Sequence, residues 1–434
     1  MTKKKIIILA HFFEPCNVIA AHRPKSWAMA LHQAGYDVTV VTRQWTGQEK
    51  NWDEYLAESN QAVQTRLAPE GYKVIHLPFR QHPLYRLSQK SWIKGSKLLR
   101  FLIELAAHCF GQIDFDRDMY RNYFPFLDAY LKTEPVDAVI NSAGPYIGIK
   151  VVSKLKKKHQ FHWLADFRDV WNNDLLKVNK NDRLKRNTLR FFFHRFYLRK
   201  WMKRNDQILS CSEGFSDVFE DIAPGKEVIM VKNGYESTLY NDYPPQKLDK
   251  FTILCLGTLY QEQNKQFFFQ AIQSFLQERG TEKIEIKFIG AKINEAVARE
   301  IEANINPEVL TLTGFVDRKI ALQETRNAHL LFYPVWSGYK GIYSGKMFEY
   351  LGSGRNILVV PKDHSVLDNL LEETGAGKSF DKQEACLAHL CKLYDAWEQS
   401  GTVPYEGNSD KIKAYSRESQ SQIIVQTLEK LWNK

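Results

Sequence analysis

Short apolar runs alternate with amphipathic stretches along most of this chain. Residues 6–10 form an apolar run, residues 23–34 have the spacing of an amphipathic helix that ends at Gly35, and residues 37–42 form a second apolar run. Strand–helix–strand units whose strands are apolar on both faces are typical of parallel sheets covered on both sides. The pattern therefore predicts an α/β fold that opens with a βαβ unit.

The same rhythm continues and divides into two series. The first series adds predicted strands at residues 137–141, 162–165, 207–212 and 227–231. Residues 44–135 have no clear βαβ rhythm, although a strand is predicted at residues 72–77. The second series has predicted strands at residues 251–256, 284–289, 309–312, 328–333 and 356–360. We expect two Rossmann-like domains, at residues 1–245 and 246–408, with the break at the Pro244-Pro245 stretch. A last helix is predicted at residues 412–431, within a C-terminal segment at residues 409–434.

Length, charge and cysteine spacing narrow the class of protein. A chain of 434 residues suits two domains. No run reaches the roughly 18 apolar residues of a membrane-spanning helix, and the first apolar run is too short for a signal peptide, which predicts a cytoplasmic protein. None of the six cysteines forms a C-x-x-C pair, so no metal site is expected. The net charge of +10 indicates an anionic partner.

The most specific motif lies in the second domain. A loop containing Gly338 and Gly341 leads into a predicted helix that Ser344 can cap and that begins with Gly345-Lys346. Backbone N–H groups at a helix N-terminus, together with a first-turn lysine, suit a diphosphate. Glu349 follows one turn later and could accept both hydroxyls of a ribose. The alternative is a capped surface helix with a solvated glutamate. Lys265, one loop after Gly257, would add a second cation at the same sheet edge, or be an ordinary solvated residue.

Charged side chains in the first domain also follow strand ends. Asp166, Arg168 and Asp169 come directly after the strand at 162–165, between aromatic residues. Such charges are candidates for a functional site, and the alternative is an Asp–Arg ion pair that orders the loop. The loop after the first strand leads to Arg23 at a helix start, where this arginine could meet a phosphate. The loop after the strand at 137–141 is similarly placed and contains Ser142 and Gly144.

Residues 177–204 are strongly basic and rich in aromatic residues. Eleven lysines and arginines face a single acid, Asp182, and six aromatic side chains interleave with them. This composition favours docking on an anionic membrane surface. RNA binding is the competing function, and a helix with core aromatics and solvated cations is the structural alternative. The residues predicted to meet the membrane are Arg195, Arg199, Lys200 and Lys203.

Taken together, these motifs resemble family-4-type glycosyltransferases of the GT-B fold. Residues 166–171 (Asp-Phe-Arg-Asp-Val-Trp) resemble the D-F-R-D-x-W variant of that family's mid-domain loop. Residues 346–354 (Lys-Met-Phe-Glu-Tyr-Leu-Gly-Ser-Gly) resemble the K-x-F-E-Y-L helix of its donor site. The resemblance implies two Rossmann-like domains facing a cleft, with a C-terminal helix that crosses back to the first domain.

The resemblance also implies roles for individual residues. Lys265 and Lys346 would hold the diphosphate, Glu349 the ribose, and Phe315 with Val316 would flank the base. The remaining residues of the implied donor site are Thr258, Gly341, Tyr343, Ser344 and Gly345. Asp169, with Arg168 and Asp166, would lie at the reacting centre, and Arg23, Ser142 and Gly144 on the acceptor side.

The sequence departs from the family pattern at two donor positions. Thr258 stands where an arginine is usual, and Gly341 stands where the first of a pair of glutamates is usual. Direct recognition of the sugar by that first glutamate is therefore absent or moved.

We therefore expect a retaining, metal-independent hexosyltransferase that needs no cofactor. It would move a sugar from a nucleotide-sugar donor to a lipid-linked or cell-surface polysaccharide precursor, on the inner face of the membrane. A sugar-nucleotide epimerase of the same fold and a non-catalytic binding protein remain the alternatives.

Overall fold

A computed structural model describes residues 3–16, 18–49, 52–59, 61–177 and 188–433. The chain forms two compact units, Met1–Lys232 with Gln420–Lys434, and Asn233–Ser419. The first unit thus ends before the boundary expected at residue 245. The reason is that residues after Lys232 make their contacts in the second unit, where Tyr235 pairs with Ser416 and the Tyr240 hydroxyl donates to the backbone oxygen of Glu349.

The first unit is built on an eight-stranded sheet of order β3-β4-β2-β1-β5-β6-β7-β8. Its strands are β1 Lys5–Leu9, β2 Asp37–Arg43, β3 Gln64–Leu67, β4 Lys73–Leu77, β5 Ala138–Ala143, β6 His162–Phe167, β7 Gln207–Ser210 and β8 Val228–Met230. All neighbours pair in parallel except β3, which lies antiparallel to β4. The apolar run of β1 is buried in the middle of this sheet, as its composition predicts.

The α-helices of the first unit cover this sheet. They are α1 His22–Gln33, α2 Trp52–Tyr55, α3 Pro83–Ser88, α4 Ser91–Lys94, α5 Lys97–Cys109, α6 Met119–Thr133, α7 Ile147–Leu155, α8 Thr188–Met202 and α9 Ser216–Ile222. Residues 44–135, which show no βαβ rhythm in the sequence, form the antiparallel β3–β4 pair and the helices α2 to α6.

The second unit is built on a six-stranded parallel sheet of order β11-β10-β9-β12-β13-β14. Its strands are β9 Phe251–Leu256, β10 Ile284–Ile289, β11 Leu310–Thr313, β12 Leu330–Pro334, β13 Asn356–Val360 and β14 Gly377–Ser379. Its helices are α10 Gln266–Arg279, α11 Glu295–Asn304, α12 Arg318–Asn327, α13 Gly345–Gly352, α14 Val366–Thr374, α15 Gln383–Ser400 and α16 Ser409–Lys413. Strands β9, β10 and β11 all end at a glycine, which leaves their carboxyl edge open to close approach.

The chain returns to the first unit through a last helix, α17 Arg417–Trp432. Ile424, Val425 and Leu428 of this helix pack in the same core as β1. The single helix predicted at residues 412–431 is wrong at its start, because the helical backbone is interrupted between α16 and α17. At that break the Arg417 N–H donates to the Tyr235 oxygen at 2.7 Å, and this pairing replaces a continuous helix.

No helix within the described residues is both long and apolar enough to cross a bilayer.

Candidate functional site

Helix α13 is fixed at the carboxyl edge of the second sheet. Met347, Phe348 and Leu351 are buried in the core on one side of β9, β12 and β13. The Tyr350 hydroxyl accepts a hydrogen bond from the Leu256 N–H at 2.8 Å, at the end of β9. The apolar and tyrosine positions of the motif are therefore structural, and they hold the N-terminus of α13 where ligands bind in open α/β sheets.

The N-terminus of α13 has no side-chain cap. Ser344 is the N-cap residue and has extended backbone angles, but its hydroxyl accepts from the Tyr333 hydroxyl at 3.0 Å instead of from a helix N–H. The expectation that the Ser344 side chain caps the helix is therefore wrong. Because the cap is absent, the N–H groups of Gly345 and Lys346 are not covered by it, and the positive end of the helix dipole is available to an anion.

Lys346 places an ammonium group at this edge. A Cβ at Gly257 would lie 3.4 Å from Lys346 Cε and 3.7 Å from Nζ, so the lysine lies against the glycine that ends β9. Burial lowers the pKa of Lys346, while Cys255 and Glu349 act to raise it. Within the described parts of the chain, no group hydrogen-bonds to this ammonium or pairs with it. A partly buried cation without a partner is a candidate for binding an anionic ligand.

Lys265, the other predicted diphosphate ligand, is already occupied. Its side chain is 1% exposed, and Nζ donates to the backbone oxygens of Tyr260 and Gln263 at 3.0 and 2.9 Å. Glu300 Oε2 lies 3.2 Å from the same Nζ. Since an ammonium has three donors, each of them has a partner, and a diphosphate would have to displace one. The structure gives Lys265 the role of fixing the loop between β9 and α10.

Glu349 lies one turn after Lys346 and is 19% exposed. Its Oε1 accepts from Arg318 Nη2 at 3.3 Å, and this arginine is half exposed. Sequence analysis missed Arg318, since nothing in the linear pattern connects it with a glutamate 31 positions later. A carboxylate held by one long contact to an exposed arginine can exchange that contact for the hydroxyls of a ribose.

The remaining predicted donor residues are spread around this edge. Phe315 is 87% exposed directly after β11, while Val316 packs on the core. The Tyr343 hydroxyl donates to the Val366 oxygen at 3.2 Å. Gly341 has φ of +73°, a conformation that favours glycine, and Thr258 is partly buried. These positions are compatible with the predicted roles, which stay predictions.

In the first unit, Arg23 and Asp166 form a buried ion pair. Arg23 Nη2 lies 2.6 Å from Asp166 Oδ1, and the two side chains are 4% and 0% exposed. Arg23 Nη1 also donates to the Lys232 oxygen at 2.8 Å. Because neither side chain is accessible, the structure supports the structural alternative for Asp166, with Arg23 as its partner. Contact of Arg23 with a phosphate stays a prediction.

Asp169 and Arg168 differ from Asp166 in their surroundings. Asp169 is exposed, and its backbone oxygen accepts from the Tyr146 hydroxyl at 2.9 Å. Arg168 Nη2 donates to the Gly144 oxygen at 3.1 Å, which brings the ends of β5 and β6 together. Ser142 is buried in β5. The exposed carboxylate of Asp169 is thus the one acid of the 166–171 motif that can contact a substrate.

His11 follows β1 at the carboxyl edge of the first sheet and is not among the site residues predicted from the sequence. It is 1% exposed, and neither ring nitrogen has a hydrogen-bond partner among the residues that the structure describes. Burial, with Arg43, Arg117 and Arg168 as further causes, holds its pKa well below the ordinary value. The ring is therefore neutral. Its position after a central parallel strand is the sequence feature that could have marked it as a site residue.

The basic residues of α8 divide into paired and unpaired cations. Arg195 and Arg199 both pair with Asp221, at 2.6 and 2.8 Å. Lys200 and Lys203 are exposed. The predicted basic run also includes Lys180, Arg183, Lys185 and Arg186, which lie outside the described residues. Half of the cations predicted to meet a membrane therefore already share one carboxylate within the protein.

Comparisons with known proteins identify the fold. No family model matches the chain, and no curated protein matches it in sequence. Among solved structures, sucrose-phosphate synthase from Thermosynechococcus elongatus superposes with a TM-score of 0.64 at 12% identity, over 99% of this chain and 100% of that one. The α,α-trehalose-phosphate synthase (UDP-forming) from Burkholderia vietnamiensis gives 0.59 at 11%, over 98% and 100%. HepE from Anabaena in complex with UDP-glucose gives 0.55 at 11%, over 98% and 100%. Identities this low show the fold alone, and that fold is GT-B, with two parallel-sheet domains.

Proposed function

We propose that this protein is a glycosyltransferase that takes its sugar from a nucleotide-sugar donor bound at the carboxyl edge of the second sheet. The observation that carries the proposal is the combination at α13. Its N-terminus has no side-chain cap, the ammonium of Lys346 has no partner in the described part of the chain, and the carboxylate of Glu349 is held by one contact to Arg318. These three features match the diphosphate and the ribose of one ligand.

The chemistry follows from where charge develops. When the bond between the sugar and the diphosphate breaks, negative charge accumulates on the leaving nucleoside diphosphate. Lys346 and the N–H groups of Gly345 and Lys346 would stabilise that charge in the transition state more than in the ground state. This assignment needs no divalent cation. The exposed ring of Phe315 would stack on the base.

UDP is the nucleotide that we propose for the donor, with uracil as its base. The solved structures of the same fold include HepE with UDP-glucose and a synthase described as UDP-forming. This likeness supports a UDP-sugar and a hexosyl group, while the reaction in this chain is our inference.

The acceptor is proposed to bind at the first unit, where Asp169 is the exposed carboxylate after β6. Resemblance to family-4-type enzymes supports retention of the anomeric configuration. The acceptor that we propose is a lipid-linked or cell-surface polysaccharide precursor, reached from the cytoplasmic side of the membrane. The exposed Lys200 and Lys203 support contact with anionic lipid.

A thermal-shift screen with UDP-, GDP-, ADP- and CMP-linked sugars tests this function. A ligand at about 100-fold its Kd stabilises the folded state by about 2.7 kcal/mol, which raises Tm by several degrees. We expect a shift with UDP-sugars, and no shift with the same sugars as 1-phosphates, which lack the nucleoside. Cooperative melting without a shift for any nucleotide sugar would contradict the proposal.

A further inference from the structure

The first unit carries a concentration of exposed apolar side chains. Nine of the sixteen large hydrophobic residues that are exposed in the described chain lie on two segments. We call this set the apolar crest, and its members are Trp92, Leu98, Leu99, Phe101, Leu102 and Phe110 around α5, with Leu189, Phe192 and Phe196 on α8. Large exposed apolar patches usually mark an interaction surface, whereas single exposed residues need no explanation.

The crest residues of α5 have the spacing of one helix face. Leu98, Phe101 and Leu102 are 66%, 50% and 49% exposed, at positions i, i+3 and i+4. Ala107 and His108 of the same helix are buried and anchor it to the unit. In a globular domain an apolar face of this kind normally points into the core. Here the helix is anchored through other residues and presents its apolar face to the outside.

Helix α8 repeats this arrangement beside α5. Leu189, Phe192 and Phe196 are exposed at positions i, i+3 and i+7, while Leu198 and Met202 are buried. The two helices are joined where the Tyr197 hydroxyl donates to the Cys109 oxygen and where the rings of His108 and His194 lie 4.9 Å apart. The two helices therefore pack against each other in the first unit, and each carries an exposed apolar face.

Exposed cations lie on the same two segments as the crest. They are Lys90, Lys94, Lys97 and Arg100 near α5, and Arg190, Lys200, Lys203 and Arg204 on or after α8. Glu104 is the single acid in residues 90–110, and residues 188–204 contain none. Apolar side chains bordered by lysines and arginines match a bilayer whose headgroups are anionic, since the cations can remain at headgroup level while the apolar groups enter the acyl region.

We propose that the apolar crest inserts into the interface of an anionic lipid bilayer and holds the first unit on the membrane. This proposal differs from the membrane contact predicted from the sequence, which rested on four basic residues alone. Here insertion of the apolar side chains of α5 and α8 supplies most of the binding free energy, and the cations add an electrostatic contribution. The inference deepens the proposed function, because it rests on a lipid-linked acceptor and places the acceptor unit at the lipid surface.

A second copy of the chain is the other occupant to consider. A symmetric contact between two crests would bring the same eight exposed cations of each copy against one another. That repulsion opposes self-association, whereas anionic lipid neutralises the same charge. The charge of the surface thus favours the bilayer.

The test uses the full chain and phosphatidylcholine vesicles with or without phosphatidylglycerol, in a co-sedimentation assay. We expect binding to the anionic vesicles that weakens at high salt but is not abolished, since the apolar part is not screened. Phe101→Asp/Leu102→Asp and, separately, Phe192→Asp/Phe196→Asp should each lower the affinity by about tenfold or more. Val63→Asp/Leu67→Asp, which changes two exposed residues at β3 of the same unit, is the matched control and should bind as the wild type does.

Each other outcome overturns the inference. The inference is overturned if the wild type does not sediment with vesicles, if high salt abolishes its binding, or if the control variant loses as much affinity as the crest variants. A wild-type dimer that the crest variants convert to a monomer, without vesicle binding, assigns the surface to a second copy. Donor-induced thermal shifts are measured on the wild type and on the same variants. If none of these proteins shows a shift, the proposed function is contradicted while the vesicle result stands.

Discussion

Replacing Lys346 with alanine is expected to weaken nucleotide-sugar binding roughly ten- to hundredfold, the range given by loss of a hydrogen bond to a charged group. The ammonium lies against Gly257 and has no partner within the residues that the structure describes, so its removal leaves no protein group unpaired. The loss should therefore appear in donor Kd, with little change in the free energy of unfolding. Isothermal titration and chemical denaturation measure the two quantities separately.

The same lysine predicts how donor binding depends on pH. Burial lowers the pKa of Lys346 below its ordinary value of 10.5. Only the protonated form attracts the diphosphate, so affinity should be complete below that lowered pKa and fall as the pH rises through it. Lys346→Arg keeps its charge over this range and should flatten the decrease. An alkaline decrease of the same size in wild type and Lys346→Arg would show that another group titrates.

Asp166 and Asp169 are expected to respond in opposite ways to replacement by alanine. Asp166→Ala leaves the guanidinium of Arg23 buried without its carboxylate, and breaking a buried pair costs about 3–5 kcal/mol of stability. Asp169→Ala removes an exposed side chain and should change stability by less than about 0.5 kcal/mol. If Asp169 lies at the reacting centre, its loss should instead reduce turnover by roughly a hundredfold.

Denaturant unfolding and turnover of both variants, measured side by side, test this contrast. Asp169→Ala with wild-type turnover would remove Asp169 from the reaction. Asp166→Ala with wild-type stability would contradict the buried pair.

Most strands of both sheets follow from the sequence, because a buried parallel strand is a short apolar run that can be recognised without its partner. The short parallel strand β14, Gly377–Ser379, has no apolar run and was not predicted. Predicted strands 251–256, 284–289 and 356–360 have the bounds found in the structure. The antiparallel β3 was not predicted. All four of its residues are exposed, so it has no apolar run to indicate it.

Side-chain partners could not be predicted, since they join distant parts of the chain. Arg23 and Asp166 are 143 positions apart, and only the fold shows that they neutralise each other. Lys265 and Lys346 look alike as lysines near glycine loops, yet one has three partners and the other none in the described chain. For α5, an apolar helical periodicity is the same whether the helix face packs in a core or lies exposed.

The central claim is that a nucleotide sugar binds at the N-terminus of α13, and donor titration of Glu349→Ala tests it most directly. Glu295→Ala, which removes an exposed glutamate of the same domain, is the matched control. We predict that Glu349→Ala raises donor Kd by roughly ten- to hundredfold, through loss of the ribose contacts, while Glu295→Ala binds as the wild type does. Equal affinity of Glu349→Ala and the wild type for the same UDP-sugar would contradict the account.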